Sequence, residues 1–252
     1  MKGLFLSADG NLAVSAVTAP DVSAITRGDL RLVALPDGQA ALDSNLLARD
    51  GVIAHNFFSG DAEAEIIDGQ FDLGGDLSLT AANDGRFSAE QTLRSLDQQP
   101  LQTMLAANQL GWNNQSLLSL DDAELLGSAP SAETLRVLAQ ISDTTLTAGG
   151  NLSLQGRFNP LATARLGSVD SSDLLAGASG SLFSGNLSSA SVGASLTQGM
   201  PEIYNIGGAV SIAAANDADF VASADLGSLL VVPDSSAVRN LLEIALDASV
   251  QN

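Results

Sequence analysis

The sequence contains no cysteine and a single histidine, His55. Without thiols the chain can form neither a disulfide framework nor a cysteine-ligated zinc site, and it has no thiol nucleophile. One imidazole excludes a metal site built on two histidines and leaves a Ser-His-Asp triad dependent on His55 alone. Because no motif surrounds His55, we interpret it as a structural or surface residue. The sequence therefore predicts a non-enzymatic protein with no catalytic residue, cofactor or metal site.

Positive charge is also scarce. The chain has 10 Lys plus Arg against 29 Asp plus Glu, a net charge of -19, and Lys2 is its only lysine. Nucleic-acid binding depends on clustered Lys and Arg that displace counterions from phosphates. Here the arginines stand singly between Arg27 and Arg239. The composition therefore predicts that no nucleic acid is a partner.

Charge of either sign is low and long apolar runs are missing. Charged residues make up 15% of the chain, against about 25% in ordinary globular proteins. No stretch approaches the roughly 20 apolar residues of a membrane span, so direct membrane insertion is not expected. The segment 1–9 has an apolar run too short for a signal-peptide core. We expect assembly in a cytoplasm, with a periplasmic or extracellular location as the alternative if the chain is a fragment.

What the sequence does contain is an internal repeat. Residues 74–100 align without gaps to 207–233, with 13 identities in 27 positions at an offset of 133. A weaker similarity relates residues 6–12 to residues 146–152 at an offset of 140. Both pairs of similar segments occur in the same order along the chain, which predicts a tandem duplication. The predicted division is a first β-rich copy (1–111), a partly helical connector (112–142) and a second β-rich copy (143–252).

Local patterns predict a mainly β fold with a few helices. Residues 77–79 and 210–212 alternate apolar with small polar side chains, which is typical of a half-buried strand. An Asn-Asp turn follows each, at 83–84 and 216–217, and Phe87 or Phe220 then opens a returning strand. A hairpin in each copy is the prediction. The fold class expected from these patterns is two tandem duplicated domains, each like a β-sandwich or barrel and each ending in a helix.

Three helices are predicted from apolar spacing. The first follows Pro233, because apolar residues recur there at helical intervals. The second is its counterpart from 100 to 111, and the third lies in the connector after Ser131. The apolar residues that carry the first and third predictions are Val238, Leu241, Leu242, Ala245 and Leu246, and Leu135, Leu138 and Ile141.

The segment from 100 to 111 contains no charged residue. An exposed helix normally carries charge on its wet face. A helix without charge is therefore expected to lie at an interdomain or intersubunit contact. The candidate interface residues are Leu101, Gln102, Met104, Leu105 and Gln109.

Aspartate recurs beside glycine along the first half of the chain. The five dipeptides begin at Asp9, Asp37, Asp50, Asp68 and Asp84. None keeps the ligand spacing of an EF-hand loop. Because Asp-Gly is first of all a turn dipeptide, turns are favoured over calcium sites.

The segment 145–154, Thr-Leu-Thr-Ala-Gly-Gly-Asn-Leu-Ser-Leu, resembles the repeats of filamentous haemagglutinin-type β-helix adhesins. Its Gly-x-Leu-x-Leu pattern also resembles the β-groove repeats of AsmA- and TamB-like envelope proteins. Either resemblance covers about ten to thirty residues. Both families are exported or membrane-anchored, which is what the resemblance implies for location.

Two functional hypotheses follow. The first is a non-enzymatic structural protein that associates with itself and with other assembly subunits, as a virion component of a phage tail, baseplate or capsid surface. It depends on the charge-poor, duplicated β architecture, which suits repeated contacts. The alternative is a fragment of a bacterial envelope or surface β-repeat protein, adhesin-like or AsmA- or TamB-like, that binds lipid or a host surface.

Overall fold

The computed structural model describes residues 1–29, 32–34, 40–42, 52–95, 103–111, 134–168, 181–197, 203–225 and 235–251. Within these ranges the regular structure is entirely β-strand, which confirms the predicted β-rich character. The strands are β1 Phe5–Ala8, β2 Leu12–Thr18, β3 Asp21–Asp29, β4 Leu32–Ala34, β5 Ala40–Leu42, β6 Val52–Phe58, β7 Ala62–Ile67, β8 Gln70–Leu73, β9 Leu77–Asn83, β10 Arg86–Ser95, β11 Thr103–Leu110, β12 Leu135–Ser142, β13 Thr145–Ala148, β14 Leu152–Phe158, β15 Leu161–Ser168, β16 Ser181–Thr197, β17 Tyr204–Ile206, β18 Val210–Asn216, β19 Asp219–Asp225 and β20 Ser235–Gln251.

The strands form four parallel sheets. Sheet 1 has the order β1-β8-β13-β17, sheet 2 β2-β9-β14-β18 and sheet 3 β3-β10-β15-β19. Sheet 4 has the order β6-β11-β16-β12-β7, and β20 pairs with the long strand β16. A separate pair, β4 and β5, is antiparallel. The chain thus visits the same sheets in the same order four times, as in a solenoid.

Each circuit of the chain is called a coil here. Coil 1 spans 5–67, coil 2 spans 70–142, coil 3 spans 145–197 and coil 4 spans 204–251. In sheet 4, coils 1 and 2 contribute two strands each, β6 with β7 and β11 with β12, whereas β16 and β20 are continuous. Sheet 4 packs against sheets 2 and 3, so each coil closes on itself around an apolar interior.

The register between neighbouring coils shows that one coil is the repeating unit. Leu12, Leu77, Leu152 and Val210 occupy equivalent positions, at successive spacings of 65, 75 and 58 residues. The sequence offset of 133 therefore compares coil 2 with coil 4, and the offset of 140 compares coil 1 with coil 3. Sheets 1, 2 and 3 each combine two strands from 1–111 with two from 143–252. The repeat found in the sequence is correct in register, and the domain boundaries remain a prediction.

The predicted hairpins are wrong. β9 and β10 are consecutive, but they belong to sheets 2 and 3 and each pairs only with strands of neighbouring coils. The turn at Asn83 redirects the chain from one sheet to the next, which parallel stacking allows and a sandwich hairpin does not. Phe87 and Phe220 do occupy equivalent positions, both paired with Ala162. Phe87 is buried and Phe220 is partly buried.

The predicted C-terminal helix is also wrong, because 235–251 is strand β20, paired with β16 along its whole length. The apolar residues satisfy a period of two as well as a helical period. Ile244, Leu246, Ala248 and Val250 alternate, and their register partners are Ala190, Val192, Ala194 and Leu196. Pairing with an existing strand decides between the two periods, because tertiary context overrides local pattern.

The other two predicted helices are strands for the same reason. Residues 103–110 form β11, between β6 and β16. Residues 135–142 form β12, in which buried and less buried side chains alternate. Leu135, Val137, Ala139 and Ile141 face the interior, whereas the helical pattern used Leu138, which is only partly buried.

A row of buried asparagines links sheet 4 to sheet 3. The Nδ2 of Asn56 donates to Oδ1 of Asn108 at 2.8 Å, and the Nδ2 of Asn108 donates to Oδ1 of Asn186 at 2.7 Å. The Nδ2 groups of all three asparagines also donate across the interior, to the carbonyls of Ser88, Thr163 and Val221. The row thus joins successive coils to one another and to the opposite sheet, so it fixes both coil register and sheet spacing.

Asn108 is the centre of this row, so replacing it tests the register lock. Asn108→Leu keeps a side chain of similar branched shape but leaves polar groups of Asn56 and Asn186 without their amide partner. Each buried group left unsatisfied costs about 1–3 kcal/mol, so we expect the free energy of unfolding to fall by about 2 kcal/mol or more. Urea unfolding measures this. The control is Asn205→Ala, at an exposed position; a similar small loss in both variants would contradict the role of the row.

Candidate assembly surfaces

The turn between sheets 1 and 2 stacks through asparagine and aspartate side chains. The backbone N–H of Asp76 donates to Oδ1 of Asn11 at 2.8 Å, and that of Asn151 donates to Oδ1 of Asp76 at 2.7 Å. The backbone N–H of Ala209 then donates to Oδ1 of Asn151 at 2.9 Å. One side chain per coil therefore caps the turn of the next coil. Coil 4 carries Ala209 at this position, so its side chain offers no oxygen to a further coil.

Glycines make this close stacking possible. A Cβ added to Gly149 would lie 2.5 Å from the carbonyl oxygen of Gly74, and one added to Gly207 would lie 2.5 Å from that of Gly149. Real side chains do not tolerate such distances, so the turn needs residues without Cβ. Coil 1 differs, because Asp9 stands where the other coils have glycine, and a Cβ added to Gly10 would have no neighbouring atom within 4 Å.

The next turn is stabilised by polar side chains as well. The Nη2 of Arg157 donates to both carboxylate oxygens of Asp84, at 3.0 and 2.9 Å, and Nδ2 of Asn159 reaches the same carboxylate at 3.3 Å. Arg136 and Glu63 form a second ion pair between coils, at 2.8 Å. Both pairs are partly exposed, and such pairs typically contribute under about 1 kcal/mol.

Coils 1 and 4 are less buried than the inner coils in sheets 1 to 3. Leu77 and Leu152 are 1% and 0% exposed, whereas the equivalent Val210 of coil 4 is 50% exposed. The same difference holds at the other interior positions of sheets 1 to 3 in both end coils, whereas the sheet 4 residues of coil 1, Ala54, Ala62, Ala64 and Ile66, are only 1–2% exposed. The apolar residues that pack against the core but are only partly buried are Leu6, Leu12, Val14, Ala16, Val22 and Phe58 in coil 1 and Tyr204, Ile206, Ile212, Ala214, Ala218 and Phe220 in coil 4.

Large apolar side chains are also exposed around these ends. In coil 1, Phe5 is 68% and Val17 is 58% exposed. Near coil 4, Ile203 is 63% exposed and Val221 is 42% exposed. Edge strands offer unpaired N–H and C=O groups to another chain, and exposed apolar residues beside them favour that pairing. The two ends of the stack are therefore the candidate assembly surfaces.

The interface predicted from the sequence lies elsewhere. Leu101 and Gln102 fall outside the described residues. Met104, Leu105 and Gln109 lie on β11, whose backbone is paired on both sides within sheet 4. This interface remains a prediction, although the helix on which it depended is a strand. The end coils were missed because a sequence repeat does not show which copy is outermost.

The histidine and the Asp-Gly dipeptides do not form a site in the described residues. His55 lies on β6, in register with Ala107 of β11. Asp9, Asp68 and Asp84 lie in connections between strands, and Asp68 has a φ of 53°, a turn conformation. Asp37 and Asp50 lie outside the described residues. In the described part of the chain, no three His, Cys, Asp or Glu side chains come together as a metal site would require.

In the same described part, no helix is long and apolar enough to cross a membrane. No protein-family model, curated protein or solved structure was found to match the chain.

The turn glycines give a direct test of close stacking. In Gly150→Ala the new methyl group would meet Oδ1 of Asp76 and lie 2.9 Å from the carbonyl carbon of Gly75. We expect a loss of about 1–3 kcal/mol in the free energy of unfolding, as for other overpacked sites. The matched control is Gly10→Ala, the equivalent position of coil 1, where space is open. Thermal and urea unfolding of the two variants should separate them clearly; equal stability would contradict the stacked turn.

Proposed function

We propose that this protein is a non-enzymatic structural subunit that self-associates by extending its stack of coils. The observation that carries the proposal is that both end coils have the strand geometry of the inner coils, but in sheets 1 to 3 their interior residues are only partly buried. Repeat proteins of this type normally need capping repeats with a polar outer face to remain separate in solution. Here most of the partly buried interior positions of the end coils in sheets 1 to 3 are apolar.

The proposal gives the low charge content a physical reason. With 15% charged residues, the surface has few groups that would be desolvated when copies meet. Backbone pairing supplies regular, sequence-tolerant contacts, and the exposed Phe5 and Val17 add apolar area at one end. Other assembly subunits could pair with the same edges.

A virion component, such as a phage tail, baseplate or capsid-surface protein assembled in a host cytoplasm, is the setting we propose first. It requires a protein whose role is repeated contact rather than chemistry. The stacked coils supply a stiff unit, since adjacent coils are joined by backbone ladders and by the asparagine row.

A second candidate is a surface β-repeat protein that binds lipid or a host surface. One observation favours it: the solenoid-like stacking of parallel strands is the architecture implied by the resemblance of 145–154 to filamentous haemagglutinin-type β-helix adhesins. In that case the end coils would continue a longer solenoid, and the exposed outer faces would carry the binding function.

Sedimentation velocity over a wide concentration range tests the first candidate. We expect mass to increase with concentration. Parallel strands lie about 4.8 Å apart, so four coils correspond to a rise of about 19 Å per copy in any filament seen by electron microscopy. A protein that stays monomeric at all concentrations would contradict self-association. Flotation with phosphatidylcholine vesicles, with and without phosphatidylglycerol, tests the second candidate, and binding by a strictly monomeric chain would favour it.

A further inference from the structure

The repeat relates the two free ends to a junction already present inside the molecule. Coil 4 is the counterpart of coil 2, with which it shares 13 of 27 aligned residues. Coil 1 is the counterpart of coil 3 and matches it at Asn11 and Pro20, the equivalents of Asn151 and Pro160. If coil 1 of a second copy followed coil 4, the new junction would therefore correspond to the internal junction between coils 2 and 3 in sheets 1 to 3. In sheet 4 the two junctions differ, because coil 1 has two separate strands and coil 4 has one continuous strand.

Interior side chains support this correspondence. At the internal junction, Leu77 pairs with Leu152 and Leu79 pairs with Leu154, all at 0–1% exposure. The same register across two copies would place apolar residues opposite one another at five interior positions of sheets 1 and 2, and Asn216 opposite Thr18 at the last interior position of sheet 2. The pairs, with the coil 4 residue first, are Tyr204 with Leu6, Ile206 with Ala8, Val210 with Leu12, Ile212 with Val14 and Ala214 with Ala16.

We propose that copies stack head to tail, with coil 4 of one chain against coil 1 of the next, in the register of the internal junction. This inference rests on the proposed self-association and names its interface and its occupant, a second copy of this chain. Because the two surfaces differ, the contact is heterologous and does not close after two copies. Open filaments are the expected product.

The turns keep this junction weaker than the internal one. Asp9 is the coil 1 equivalent of Gly149. A Cβ added to Gly149 would lie 2.5 Å from the carbonyl oxygen of Gly74, so the Cβ of Asp9 would conflict with the equivalent carbonyl at the new junction. Ala209 replaces the residue equivalent to Asp76, so the turn of the incoming coil gains no side-chain cap. Val17 also stands in place of Arg157, so the ion pair to Asp84 has no counterpart. The junction keeps the apolar and backbone contacts and lacks the polar ones.

Opposed charges on the outer face test the register. The junction places Ser211 opposite Ala13 and Ala213 opposite Ser15, by equivalence with Ser78–Ser153 and Thr80–Gln155, and all four junction residues are exposed. Lysine at all four positions puts like charges face to face, which should weaken association at least about tenfold. Glutamate at 13 and 15 with lysine at 211 and 213 should restore it. Lysine at 13 and 15 alone is the matched control and should cause a much smaller change.

Two substitutions in the turn between sheets 1 and 2 test whether association can be strengthened. Asp9→Gly with Ala209→Asn recreates the internal turn and should tighten association by about tenfold, because it removes a steric conflict and adds a charge-free cap. Sedimentation velocity gives the association constants, and circular dichroism confirms that each variant keeps its β-structure. Weakening, rescue and tightening together support the junction. Association that none of these variants changes overturns the junction and leaves self-association standing, whereas the absence of association in every variant overturns both.

Discussion

The in-register parallel pairing of neighbouring coils is the constraint on which the rest of this structure depends. Interior residues of the two inner coils have counterparts directly above and below, as Leu77 does between Leu12 and Leu152. A slip of one residue would turn every apolar side chain of a strand to the outside. The buried asparagine row and the glycine turns work against such slips, since neither can form unless equivalent residues of successive coils coincide. The same register therefore determines the stability of one copy and the contact that we propose between copies.

The strand content and the equivalence of distant segments could be predicted from the sequence, because alternation and identity are local signals. The order of coils could not. Residues 74–79 and 149–154 share Gly-Gly-x-Leu-Ser-Leu at an offset of 75, and this signal marks adjacent coils. Coil lengths vary, with successive spacings of 65, 75 and 58 residues, so no single period runs through the chain. The longer offsets, 133 and 140, are the ones that predict two tandem copies.

The helix predictions failed where small and apolar residues satisfy two periods at once. Segment 235–251 fits a helical stripe and a strand face, and its pairing with β16 selects the strand. The asparagine row was equally hidden. Asn56, Asn108 and Asn186 have no constant spacing in the sequence, and only the coil register brings their amides within 2.7–2.8 Å. Predicting the candidate assembly surfaces requires knowing which coils are outermost. That order is a property of the stack and not of any sequence motif.

The most direct test of the coil register uses the absence of cysteine from the chain. Ser78 and Ser153 are register partners on adjacent strands, at a separation of about 4.8 Å, which a disulfide can span. Ser78→Cys with Ser153→Cys should oxidise in dilute solution to a monomer with that cross-link, identified by peptide mass. Ser78→Cys with Gln155→Cys, displaced by two residues along the strand, should cross-link far less. Equal cross-linking of both pairs, or none in the first, would contradict the stacked parallel coils.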